Sequence, residues 1–122
     1  MPVVTVEFVS DSDRPIRDGL AQVLADAVGR VLGTPPGQTW VRLRSLQPNQ
    51  YAENDTHLEA SELPVFVTLL ERLPPTGAEL QAQVASLTQA IAQVFGRPGG
   101  CVHIEYTSAA SGRVSFGGKL VQ

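Results

Sequence analysis

The chain has 122 residues, 43% hydrophobic and 17% charged, with 9 basic against 12 acidic residues and a formal net charge of −3. That balance suits a globular protein with a core of its own and excludes non-specific nucleic-acid binding, which needs a basic surface. No apolar run approaches the roughly 20 residues of a membrane span and no charged-then-apolar leader opens the chain. A lone cysteine, Cys101, excludes an internal disulfide and suits a reducing, cytoplasmic setting.

The chain opens MPVVTVEFV. Val4, Val6 and Phe8 alternate with Val3, Thr5, Glu7 and Val9, which predicts a strand over 3–9. Pro2 stands at its head. Proline has no N–H for a ladder, and a strand tolerates it at its first position. The alternative is that removal of Met1 makes Pro2 the chain terminus, a secondary amine able to take up a proton. SDSDRP then predicts a helix start, with Asp13 as N-cap and Pro15 in the first turn. Ile16, Leu20, Val23, Leu24, Ala27, Val28, Val31 and Leu32 trace one helical stripe, which Gly33, Pro35 and Pro36 end. TWVRLRSL predicts a second strand, with Trp40, Arg42 and Arg44 on one side and Val41 and Leu43 on the other. The polar stretch over 47–62 predicts a loop, in which Tyr51 is a candidate lid residue.

The order then begins again. LPVFVTLL predicts a strand, Thr76 and Glu79 a capping box, and Leu80, Val84, Leu87, Ile91, Val94 and Phe95 a second helical stripe ended by Gly96 and Pro98. CVHIEY predicts a fourth strand. Pro2 and Pro64, Gly33 and Gly96, and Val41 and Val102 stand 62, 63 and 61 residues apart. A β-α-β unit therefore occurs twice, over about 2–46 and 64–106, within one domain spanning 1–122. The predicted fold is α/β (α+β), a four-stranded mixed sheet with two helices on one face. The third strand is apolar on both sides, with Phe66 and Leu70 opposed to Val65, Val67 and Leu69. Two helices cover one face only, so another subunit or the C-terminal tail is expected to cover the second.

The proline-headed strand, the doubled β-α-β unit and the tail ASGRVSFGGKLV together resemble the tautomerase superfamily, the group of 4-oxalocrotonate tautomerase, 5-carboxymethyl-2-hydroxymuconate isomerase and macrophage migration inhibitory factor. The likeness covers nearly the whole chain. It implies a homotrimer, a short C-terminal β-hairpin over about 112–121, and Pro2 as the catalytic group; no cofactor is expected, and His57, His103 and Cys101 show no metal-ligand spacing. LGTPPGQTWVRLR resembles the family's helix end and second strand, where Arg42 matches a carboxylate-binding arginine of several members. SGRVSFGGKL resembles the C-terminal hairpin, placing Val114 and Phe116 at the pocket wall. Two departures bear on the substrate. The arginine that oxalocrotonate-type members carry after the first strand would fall near Ser12, with Arg14 displaced. Thr34 and His103 stand where the inhibitory-factor type has a lysine and, nearby, a tyrosine.

Moving a proton beside a carbonyl needs a base, a cation for the carboxylate or enolate, and a dry pocket. Pro2 is the candidate base, with its amine lowered toward neutrality by an apolar wall of Val114 and Phe116 and by Arg42 or Arg44. The arginines can also fork onto a substrate carboxylate; as a strand-alternating pair they equally suit a solvated face. His103 and Glu105 hold the corresponding places in the second unit, as substrate contacts or as partners of the arginines. Cys101 reads as buried and inert. The expected activity is tautomerisation or double-bond migration of a small 2-keto or enol carboxylic acid. Proline-dependent dehalogenation, hydration or decarboxylation, and a non-enzymatic trimeric binding protein, are the alternatives.

Overall fold

The computed structural model describes residues 2–12 and 16–122. Its order is β1 (Val3–Val9), α1 (Leu20–Leu32), β2 (Trp40–Leu46), β3 (Val65–Leu70), α2 (Gly77–Phe95) and β4 (Val102–Tyr106). A two-stranded ribbon of β5 (Ser115–Phe116) and β6 (Lys119–Leu120) follows. The main sheet runs β2-β1-β3-β4. Within each β-α-β unit the strands are parallel, and the two units meet through antiparallel β1 and β3. This is the doubled architecture the repeat predicts.

Alternation decides which side chains enter the core. Val4, Val6 and Phe8 of β1 join Val65, Val67 and Leu69 of β3 and Val102 of β4 in one buried cluster. Leu20, Leu24 and Val28 of α1 and Leu87, Ile91 and Ala92 of α2 close over it. Each large side chain buried this way contributes about 1.5–3 kcal/mol. Both helices stop where the glycines predict, with Gly33 at φ 67 and Gly96 at φ 65 in the left-handed region.

Their starts differ from expectation. Asp13, Arg14 and Pro15 lie outside the described residues. Ile16 and Arg17 are not helical, and α1 begins only at Leu20, after Gly19 at φ 83 turns the chain. Thr76 is the N-cap of α2, but its side chain makes no capping bond. Gly77 follows at φ 58, so the first turn lacks the right-handed geometry that a capping box requires.

The opposite face carries Trp40, Arg42 and Arg44 of β2, Val3, Thr5 and Glu7 of β1, Phe66, Thr68 and Leu70 of β3, and His103 and Glu105 of β4. It is apolar in the row of Trp40, Val3 and Leu70 and carries charged residues in the two rows beyond. The loop after β2 reaches one end of it, and the C-terminal ribbon reaches the other end at Trp40. The Tyr51 ring lies 5.6 Å from that of Phe66, which in turn lies 5.5 Å from His103.

At one end of the sheet Arg97 ties the two units together. Its guanidinium donates to the Leu63 and Pro64 carbonyls at 3.0 and 3.3 Å and to the Val9 carbonyl at 2.8 Å. It also stacks 5.7 and 5.6 Å from the Phe8 and Phe95 ring centres. Burial pulls its pKa down, and the Asp11 carboxylate pulls it back up. Arg97→Leu is expected to lower stability by about 2 kcal/mol or more, since charge-assisted bonds to three carbonyls are lost together. A fall in the urea midpoint would register it, and Lys, which keeps the charge without the fork, should recover only part.

Candidate functional site

The other end of the sheet gathers the candidate groups. Pro2 is buried, and its carbonyl accepts from the Trp40 backbone N–H at 3.0 Å. The C-terminal segment is anchored beside it, where Ala110 and Ser111 N–H groups donate to the Glu71 and Arg72 carbonyls at 2.9 and 3.2 Å. The ribbon then closes on itself, with Gly112 N–H donating to the Val121 carbonyl at 2.7 Å and Val121 N–H to that of Val114 at 2.8 Å. This carries Phe116 over Trp40, the two rings 5.2 Å apart and edge-on. Trp40 is 47% exposed, Leu73 59% and Leu120 53%. They are three of the four exposed large apolar side chains among the described residues.

The predicted cations lie elsewhere. Arg42 and Arg44 are exposed on the open face, two and four residues along β2 from Trp40. Pro2 shares the parity of Val4 and Val6, on the helix-covered side. Arg44, Glu7, Phe66 and His103 form one cross-strand row. At about 3.3 Å per residue, that row is roughly 13 Å from the row of Trp40 and Val3. The structure thus brings Pro2, Val114 and Phe116 to one end, and holds Arg42, Arg44, His103 and Glu105 on the outer face of the same chain. Tyr51 packs toward the far end, where its hydroxyl donates to Glu53 at 2.8 Å. Cys101 is buried, its thiol 3.9 Å from the Ser61 carbonyl.

Sequence reasoning missed one group. Glu71 follows β3, and Gln83 of α2 donates to its Oε2 across a long 3.5 Å. Tyr106 donates to the Gln83 carbonyl oxygen at 2.6 Å. Glu71 Oε1 is buried without any hydrogen-bond partner. Burial pushes the Glu71 carboxyl up, and the Gln83 contact offsets that only in part. Tyr106 is pushed up to about 12, first by burial and then by the Glu71 charge. The signal was present in the alternation, because Glu71 has the parity of Val65, Val67 and Leu69 and so faces the core side. A groove of about 710 Å³ follows α1 and the edge of β2 and includes Trp40.

No protein-family model matches the chain, and no curated protein does. Solved structures match over nearly its full length. Pt0534 inactivated by 2-oxo-3-pentynoate has a TM-score of 0.74 at 16% identity, over 98% of this chain and 94% of that one. A symmetric trimer of fused wild-type 4-OT has 0.71 at 18%, over 98% and 94%. FG41 malonate semialdehyde decarboxylase inhibited by 3-bromopropiolate has 0.67 at 23%, over 94% and 88%. The chain has the tautomerase-superfamily fold. In this fold the proline-headed β1 lies inside the sheet, beside the first strand of the second unit, and Phe116 of the short ribbon meets Trp40, whose N–H bonds the Pro2 carbonyl.

Proposed function

We propose that this protein is a tautomerase-superfamily enzyme that shifts a proton on a small 2-keto or enol carboxylic acid, with the amino-terminal Pro2 as general base. The observation carrying this reading is the setting of Pro2. It is a buried proline at the head of an inner strand, its carbonyl bonded by the Trp40 N–H, with the half-buried Phe116 ring edge-on to the exposed Trp40 ring. The ladder uses its carbonyl, so the nitrogen is free for chemistry once Met1 is gone. An apolar setting disfavours the charged amine and strengthens any ion pair formed with substrate. That two proteins of the same fold are inactivated or inhibited by small acetylenic compounds, 2-oxo-3-pentynoate and 3-bromopropiolate, fits such a substrate class.

A homotrimer completes the reading. Arg42 lies on the face opposite Pro2, so a carboxylate held by both must sit where one chain's outer sheet face meets the next chain's Pro2 end. The trimeric state of fused 4-OT supports the same assembly. Light scattering is expected to give three times the 13.0 kDa chain mass; a monomer at micromolar concentration would count against it. The activity itself is tested by keto–enol conversion of a phenylpyruvate-like compound with protein shown by intact mass to lack Met1. Conversion no faster than in buffer would favour a binding protein.

A further inference from the structure

Glu71, with its orphan oxygen, follows β3, the strand that pairs with β1. Val9 N–H donates to the Pro64 carbonyl, which marks Val9–Pro64 as a hydrogen-bonded pair of the antiparallel β1–β3 ladder. Such pairs alternate along the ladder. Counting along the register from Val9–Pro64 to Val3–Leu70 and one step beyond brings Pro2 opposite Glu71 as a non-hydrogen-bonded pair. In pairs of that kind the Cα atoms approach to about 4.5 Å and the side chains are closest. Both residues have core-side parity, and Gln83 reaches Glu71 from α2, the element covering that side. A buried carboxylate oxygen needs a donor. Pro2 as an amide has no N–H to give; as a terminal secondary amine it carries one, and two when protonated.

We propose that Glu71 is the positioning residue for the Pro2 amine: its unpartnered Oε1 accepts from that amine once Met1 is removed, and the carboxylate keeps the amine more basic than its apolar surroundings alone would. This rests on Pro2 being the working group and adds what sets its proton affinity. The other groups around Glu71 leave it this role. From β4, Tyr106 stays protonated across the working range and spends its O–H on Gln83. From α2, Gln83 is uncharged. Arg72 has the opposite parity and is exposed, and the C-terminal segment meets Glu71 through the Ala110 N–H at the backbone carbonyl. An opposite charge at such range raises an ammonium pKa and lowers a carboxyl pKa by equal coupling, since linkage is reciprocal.

The test is a nitrogen-15 NMR titration of the Pro2 amine in Met-free protein, wild type against Glu71→Gln. The Pro2 pKa is expected to fall by about one unit or more in the variant. In parallel, carbon-13 titration of the Glu71 carboxyl in wild-type chains with and without Met1 should show its pKa drop when Met1 is removed. This second arm needs no substitution and decides the matter if Glu71→Gln does not fold. Superimposed Pro2 titrations, or a Glu71 pKa indifferent to Met1, would overturn the proposal. Neither readout involves turnover. A coupled pair in a protein without tautomerase activity would sink the enzyme reading alone, and an active enzyme with uncoupled groups would sink this one alone.

Discussion

Pro2→Ala is expected to lower kcat/KM for keto–enol conversion by about 10²-fold or more while the protein still folds. Positioned acid–base groups contribute about 10²–10⁴-fold, and this substitution replaces a ring-restrained secondary amine with a mobile primary one. The fold should survive, because the Pro2 backbone group that the sheet uses is its carbonyl, bound to Trp40 N–H, and alanine keeps it. Losing two ring methylenes from a buried site costs roughly 1–2 kcal/mol. Retaining Met1 should be as damaging to activity, since an amide nitrogen takes no proton. The pH profile separates these cases. In wild type, kcat/KM should rise with pH through one ionisation as the amine becomes free base, at a lower pH than for an unburied prolyl amine. That limb should be absent in Met1-bearing protein, and displaced to lower pH in Glu71→Gln. Full activity in protein shown by mass to carry Met1 would remove Pro2 from the mechanism.

The strands were legible because half-burial writes a period of two into them. Val4, Val6 and Phe8 against Thr5 and Glu7 distinguish the covered side of β1 from the open one by residue type alone. The helix ends were legible because a left-handed residue is needed there and glycine supplies it. The helix start was not: Ile16 fits the stripe of α1, but stripe periodicity cannot register that Gly19 turns left-handed before Leu20. Contacts between distant segments left no local trace. Arg97 after Gly96 reads as an ordinary surface charge, yet its three acceptors come from residues 33 to 88 positions away. Tyr51 reads as a candidate lid, yet it packs on Phe66. Glu71 was legible in principle. A carboxylate on the core-side parity of a strand is a local conflict, and such conflicts concentrate at functional sites.

Arg42→Ala is the second large expected effect, about 2–4 kcal/mol in kcat/KM, or roughly 30- to 10³-fold, the range of lost charge-assisted contacts and charge-stabilising donors. Arg42→Lys should recover only part, because the fork onto a carboxylate is lost. Arg44 is the comparison: it stands opposite Glu7 in register, two residues farther along β2 from Arg42. The geometry makes the prediction sharper. On the proposed reading Arg42, which lies on the outer sheet face, serves the Pro2 of a neighbour. Subunits carrying Pro2→Ala and subunits carrying Arg42→Ala, each nearly inactive alone, should then regain activity when unfolded and refolded together. In the mixed trimers some interfaces join an intact Pro2 to an intact Arg42 from the other parent. A site built within one chain predicts no recovery in any mixture. Absence of recovery, with mixed trimers demonstrated by native mass spectrometry, would exclude a shared site. Unchanged kinetics in both alanine variants would return both arginines to a solvated sheet face.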